Sequence, residues 1–309
     1  LFCDFVSFSK LDEVYFFICE SLNKEFPKEI LSDKKWKKAI LRRIEIHSQI
    51  QKGIVVLLSK FSLFQLPFED MMCVYKIVHY NLISLNHELP TTDTIQQFSL
   101  IILSNMIEKG SIDVNFYPEF HDCDLFPVLI NQIQTTSSTN KIIRTCDIFV
   151  ALFENHYFEY YPFIYTVNEI LDFIDYANDH DEKLTSAYLR LLASMIKNDK
   201  AELGGFVYEC LHSELKNEKG FRTICFHTQH GNFDSMISAA HCFIDLFEKT
   251  PPDSQREYLE KCTFEALHSI IQTGVDSDKP ELILKGLQIL FHILTLSQQL
   301  SSEDHLKTI

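Results

Sequence analysis

The sequence predicts an all-α protein, an α-solenoid of about six helix pairs. Three observations predict it. Eight glycines and nine prolines stand against 26 phenylalanines, and so few breakers among so many large apolar residues favour long helices over a turn-rich sheet protein. Apolar residues recur at helical spacing wherever the chain runs unbroken. Within those stretches one order repeats: an apolar residue, a small one, an apolar pair, and often a further apolar residue. Its clearest copy lies in Asp234–Glu248, with Ile237, Ala240, Phe243, Ile244 and Phe247.

Taken in order, residues 11–22 alternate acidic and apolar residues at helical spacing. Pro27 and Ser32-Asp33 then break the chain, with Asp33 placed to cap the next helix. That helix is long, expected from about Trp36 to Phe61, basic at its start and apolar at its end, with a copy of the pattern at Ile50, Gly53, Val56 and Leu57. Pro67 closes it and Asp70–Leu85 is the next apolar helix. Pro90-Thr91-Thr92-Asp93 signals another helix start, and that helix carries Ile95, Phe98, Ile101 and Ile102, with Ser99 beside the occupied small position. A loop at Gly110–Pro118 and a short helix at Leu125–Ile133 precede the polar connector Thr135–Asn140. Lys141–Asn155 brings Ile143, Cys146, Phe149, Val150 and Phe153. A helix follows at Phe163–Ala177, then a loop and cap at Asn178–Asp181, then a helix with Leu184, Ala187, Leu191 and Met195 in which Arg190 takes one apolar place. Leu203–Leu215 is helical, and residues 221–233 are the least regular stretch of the second half. Beyond Asp234–Glu248, Pro251-Pro252-Asp253 leads into Ser254–Gln272, and Asp276–Pro280 separates it from Glu281–Gln298 with Ile283, Gly286, Ile289, Leu290 and Ile293.

The copies begin at Ile50, Ile95, Ile143, Leu184, Ile237 and Ile283, at intervals of roughly 41–53 residues. One further apolar helix lies between each two copies. A small residue lets crossing helix axes approach to within about 8–10 Å while larger neighbours fill the grooves. No single pair buries its apolar face alone, so stacked neighbours make the core continuous. From about residue 11 to 298 the sequence resembles the armadillo/HEAT-type superhelical repeat superfamily, whose units run about 40–47 residues. Ile101-Ile102-Leu103-Ser104-Asn105-Met106 is the closest local match, resembling the leucine-and-asparagine segment of an armadillo repeat's third helix. The regular Trp–Asn array of nuclear-import adaptors is absent, and Trp36 is the only tryptophan. The organisation expected is a single elongated helical-repeat domain over residues 1–309, with an irregular insertion near 216–233 that explains the long interval. The chain begins at Leu1 rather than Met, which reads as a truncated N-terminus.

A net charge of −15 argues against non-specific nucleic-acid binding, which needs a basic footprint. Nine scattered cysteines, several inside apolar helices (Cys19, Cys73, Cys146, Cys242), read as small hydrophobes in a reducing setting. That places the protein inside the cell, in cytoplasm or nucleus. The longest apolar runs fall far short of the roughly 18–20 residues that span a membrane. No Gly-rich phosphate loop, nucleophile elbow, H-E-x-x-H or EF-hand loop occurs, so no cofactor and no catalytic residue is expected.

The sharpest charge contrast is the basic run Lys34, Lys35, Lys37, Lys38, Arg42 and Arg43 around Trp36, suited to an acidic or phosphate-bearing partner. Lysines at a helix start oppose the macrodipole, a small cost that favours a function for them. Cys225, His227 and His230 form the tightest group of potential metal ligands, but zinc wants four and no second pair has matching spacing. His121, Asp122, Cys123 and Asp124 make a polar loop, and Tyr157–Tyr165 an aromatic cluster that fits either an interface or the underside of a loop. The superfamily resemblance implies that the second helix of each pair lines a concave face. Gln97, Arg144, Asp147, Arg190, His241, Asp245, Lys285 and His292 would lie there, a mixed-charge surface for a peptide or partner helix. The expected function is a non-enzymatic scaffold or adaptor that binds partner proteins over an extended surface. The alternatives are an importin-like receptor for basic cargo and an enzyme whose site is assembled in space.

Overall fold

A computed structural model of the chain describes residues 11–23, 34–64, 66–83, 91–109, 125–136, 138–154, 170–174, 181–198, 219–249 and 263–307, and all regular secondary structure among them is helical. The chain divides into two compact units, Leu1–Ala151 and Leu152–Ile309.

In the first unit lie α1 (Leu11–Asn23), α2 (Lys34–Phe61), α3 (Phe68–Ile83), α4 (Thr92–Glu108), α5 (Leu125–Thr135) and most of α6 (Thr139–Glu154). α1 packs on α2 and α3, α4 packs on both α2 and α3, and α3 also touches α5. Tyr15, Val55, Leu58, Val74, Ile77, Ile95, Ile102 and Leu103 close the core between them. Polar pins cross it. The Tyr15 hydroxyl donates to Asn81 Oδ1 at 2.6 Å and Asn81 Nδ2 donates to Ser99 Oγ at 3.0 Å. Gln51 Nε2 donates to Cys19 Sγ, and the hydroxyls of Ser48 and Thr91 are paired. Asn105, the residue of the armadillo-like segment, donates to Ser62 Oγ at 3.0 Å and ties α4 to the end of α2. Burial raises the Cys19 thiol to about 12 and the Cys73 thiol to about 11, so both stay protonated packing groups.

Because Asn81 is wholly buried, its loss leaves hydroxyls on two other helices without it. Asn81→Ala is expected to destabilise the protein by about 2 kcal/mol. A double-mutant cycle with Tyr15→Phe, read by chemical denaturation, should give a coupling energy clearly above zero; strict additivity would mean that the pair is not formed.

The second unit holds residues 170–174, a short helical piece, then α7 (Glu182–Asn198), α8 (Lys219–His230), α9 (Phe233–Lys249), α10 (Thr263–Asp276) and α11 (Pro280–Lys307). Asp181 caps α7 by accepting from the amides of Lys183 and Leu184, as its position in the sequence predicts. Asn232 caps α9 by accepting from Ser235 N at 2.8 Å, and its Nδ2 reaches Glu182 at the start of α7. α9 is the centre of the unit, packed on α7, α8 and α11, while α10 lies on α8 and α11. The turn from α10 to α11 contains Asp278 at φ 51° and is closed by Lys279 N donating to Gly274 O.

In α7, α9 and α11 the repeating pattern faces inward. Ala187, Ala240 and Gly286 are buried, and so are Leu191, Phe243 and Ile289. A Cβ on Gly286 would stand 2.5 Å from Ile271 Cγ1 of α10, so this small residue is a true crossing point.

Two expectations fail. The register assigned to α2 is wrong: Ile50 and Leu57 are exposed, and no atom lies within 4 Å of where a Cβ on Gly53 would be. The inward residues are Ser48, Gln51, Val55, Leu58 and Ser59. And residues 221–230, read as irregular, lie within helix α8, whose inner face is partly polar (Thr223, His227, Thr228).

Candidate functional site

Two clefts of the first unit gather sequence-predicted residues. The first, of about 470 Å³, runs beside the opening turns of α2 and is lined by Lys35, Lys38, Ala39, Arg42, Arg43, Ile46 and His47. Lys34 and Lys37 are exposed beside it, and Trp36 is 59% exposed. No acidic residue stands in the first turn of α2, so the positive end of the helix dipole adds to the lysines rather than being offset. All seven residues predicted here, Lys34 to Lys38 with Arg42 and Arg43, are on the surface.

The second cleft, of about 180 Å³, opens between α4 and α6. Its rim carries Gln97, Asn140, Lys141, Arg144 and Asp147, and Leu100, Ile101 and Ile143 supply its apolar part. The helices are held together by Lys141 at the start of α6, whose buried ammonium donates to Gln96 Oε1 at 2.8 Å and pairs with Asp93. Gln97 Nε2 donates to Asp93 Oδ2 at 2.9 Å, which fixes that edge of the rim. Arg144 and Asp147, three residues apart on α6, thus present opposite charges at one small depression with an apolar lining. Such a depression suits a peptide side chain with a polar end. Sequence reasoning finds Gln97, Arg144 and Asp147 and misses Lys141, which follows the polar connector at the start of α6 and carries no signal of its burial.

In the second unit the predicted polar residues lie on α7, α9 and α11. Arg190 is exposed, whereas His241, Asp245, Lys285 and His292 are half-buried. Burial, with Lys285 and Lys197 nearby, lowers the pKa of His241, which places these three side chains in one electrostatic neighbourhood. His292 stacks on Phe247 and its Nε2 lies 3.6 Å from Glu248 Oε1. Lys285 Nζ donates to Gln288. Signs alternate along this face, as they do across α4 and α6.

The candidate metal cluster does not converge. On α8 Cys225 and His227 are both buried, but two residues apart they point about 200° apart around a helix; His230 is exposed against the Phe226 ring. Among the described residues no group of three or more His, Cys, Asp or Glu side chains is placed to hold a metal ion. The polar loop His121–Asp124 and the aromatic cluster Tyr157–Tyr165 lie outside the described residues. No helix among those described is long and apolar enough to cross a membrane.

No family model matches the chain, and no curated protein matches it. Among solved structures the chain is similar to a designed armadillo repeat protein, with 8% sequence identity and a TM-score of 0.57, over 89% of this chain and 98% of that one. The all-α, armadillo/HEAT-type solenoid fold expected from the sequence is therefore the fold of the chain. At that identity the likeness speaks for the fold alone.

Proposed function

We propose that the protein is a non-enzymatic scaffold or adaptor that binds partner proteins on the exposed faces of its repeat helices. The observation that carries the reading is the cleft between α4 and α6, small, partly apolar and rimmed by Gln97, Arg144 and Asp147. It has the chemistry of a peptide side-chain pocket and no nucleophile or acid–base pair on its rim. Among the described residues, the groups with strongly shifted protonation, Tyr15, Cys19, Cys73, His227 and Cys242, are buried by packing and line neither cleft. The repeat faces of each unit contribute Arg144 and Asp147 in the first, and Arg190, His241, Asp245 and Lys285 in the second. The basic run from Lys34 to Arg43 adds a separate surface.

An importin-like receptor for basic cargo would gather acidic residues on its binding face. Here cations and anions alternate, which favours the scaffold. The buried free thiols Cys19, Cys73, Cys146, Cys225 and Cys242 fit an intracellular, reducing location, cytoplasmic or nuclear.

Affinity purification with mass spectrometry identifies the partner, and alanine replacement tests the surface. Arg144→Ala, Arg190→Ala and Lys285→Ala together should weaken the recovered partner about tenfold or more while leaving the thermal midpoint nearly unchanged. Unchanged affinity would sink this assignment, and retention of basic peptides that is lost in high salt would favour the cargo receptor.

A further inference from the structure

Helix α2 has two opposite faces, one packed into the fold and one exposed. With about 100° per residue, Ser48, Gln51, Val55 and Leu58 point inward and are buried. On the opposite side Lys35, Ala39, Arg42, Ile46, Ile50, Gly53 and Leu57 succeed one another along a single line, all exposed. Ile46, Ile50 and Leu57 are 49%, 45% and 56% exposed, apolar surface left uncovered by the packing among the described residues. The line is basic for its first half and apolar for its second.

The centre of the apolar half is a bare glycine on the helix surface. In α11 the spacing Ile283, Gly286, Ile289 brings Gly286 against Ile271 of the neighbouring helix; a Cβ there would be 2.5 Å from Ile271 Cγ1. α2 repeats that spacing in Ile50, Gly53 and Val56, yet nothing lies within 4 Å of a Cβ on Gly53. Glycine there lowers helix propensity by about 1 kcal/mol relative to alanine, and no contact among the described residues accounts for it.

We propose that this outer face of α2 docks an amphipathic helix of a partner protein, acidic residues of that helix meeting Lys38, Arg42 and Arg43 and its branched apolar residues packing over Ile50, Gly53 and Leu57. From residue 35 to 57 the face is about 33 Å long, at 1.5 Å per residue, which is the reach of a partner helix of about six turns. Charge complementarity selects the acidic end and orients the partner; the glycine permits close approach of the two axes. An anionic membrane is the less suitable occupant. Helices that lie in a membrane interface carry their apolar stripe along the whole length with cations flanking it, whereas here basic and apolar halves lie end to end. The proposal deepens the scaffold reading and rests on it for the class of partner, but uses a surface separate from Arg144, Arg190 and Lys285.

The test uses the whole chain and three labelled synthetic peptides in fluorescence anisotropy: a helical peptide with a Glu-rich half and a Leu/Ile-rich half, its scrambled counterpart, and a version with Lys for each Glu. The first should bind at micromolar concentration and the other two at least tenfold more weakly. Gly53→Leu holds the two helix axes apart from an exposed position, where folding is not at risk, and should reduce binding at least tenfold. Arg42→Glu with Arg43→Glu should do the same and abolish the salt dependence. Equal binding of the scrambled peptide, or indifference to both variants, overturns the proposal. So does sedimentation with phosphatidylserine vesicles in place of peptide binding, or a dimer in light scattering that Gly53→Leu dissociates, which assign the face to a membrane or to a second copy. Failure of the scaffold reading shows itself separately, as a recovered partner indifferent to Arg144→Ala, Arg190→Ala and Lys285→Ala.

Discussion

Gly286→Leu is expected to destabilise the protein by about 3 kcal/mol. Gly286 is buried on α11, and a Cβ there would stand 2.5 Å from Ile271 Cγ1, 3.3 Å from Ile271 Cδ1 and 3.5 Å from Ile270 Cγ2. Ile271 is β-branched on a helix, so χ1 has one strongly preferred setting and Cγ1 has little room to yield. Either α10 and α11 move apart or an isoleucine leaves its rotamer. The gain in helix propensity from removing a glycine, about 1 kcal/mol, offsets only part of this. Gly53→Ala is the control with the opposite sign. It occupies the same place in the repeating pattern, but its Cβ meets nothing within 4 Å, so the propensity gain stands alone and the variant should be about 0.5–1 kcal/mol more stable. Urea denaturation of both variants checks the pair. A neutral Gly286→Leu would mean that the two helices do not cross there, and a destabilised Gly53→Ala would mean that the outer face of α2 is occupied within the chain.

The contrast between these two glycines extends to the helices that carry them, and it marks which parts of the fold are legible in sequence. α7 and α9 bury what hydrophobicity says they bury, and the pattern residues Gly286, Ile289 and Ile293 of α11 also face inward although Leu284, Leu287, Phe291 and Leu294 are exposed, so the periodic pattern gives the register of all three. α2 has two faces that compete for that pattern. Its outer face carries Ile46, Ile50 and Leu57, while its inner face includes Ser48, Gln51 and Ser59, so apolar periodicity points the wrong way. Of these inner polar residues, Gln51 Nε2 meets Cys19 of α1 and Ser48 meets Thr91 beside α4, pairings between distant segments that leave no local signal, while Ser59 Oγ donates to Val56 O of its own helix. α8 is misread because its buried face is partly polar: Thr223, His227 and Thr228 are buried, Thr228 Oγ1 donating to Cys225 O of its own helix at 2.6 Å, and a helix with a polar inner face reads as a loop. For the cleft between α4 and α6, the polar rim comes from the periodicity of single helices. Its apolar lining, Leu100 and Ile101 beside Ile143, depends on how two helices meet, which Lys141 and Asp93 fix.

His227 carries the other large expected effect, as a loss of stability in mild acid. It lies 2% exposed on α8, and burial alone pushes its pKa down from 6.5 to about 4. Above pH 6.5 the imidazole is neutral in both folded and unfolded chains and contributes nothing to pH dependence. As pH falls below 6.5 the unfolded chain takes up the proton first, so the folded state loses stability until about pH 4, where the folded protein also binds it. With about 1.4 kcal/mol per pH unit, the loss from this one group is about 2 kcal/mol at pH 5 and about 3 kcal/mol at pH 4. His241, lowered by burial and by Lys285 and Lys197, acts in the same direction, so the wild-type curve sums several groups. The difference from His227→Gln isolates one: the variant removes the titration and should lose about 2 kcal/mol less than wild type between about pH 7 and pH 5, measured by urea denaturation at each pH. Parallel curves for the two proteins would show that His227 is hydrated or partnered when charged, and α8 would then be less firmly packed against α9 than its buried Ile224 and Cys225 imply.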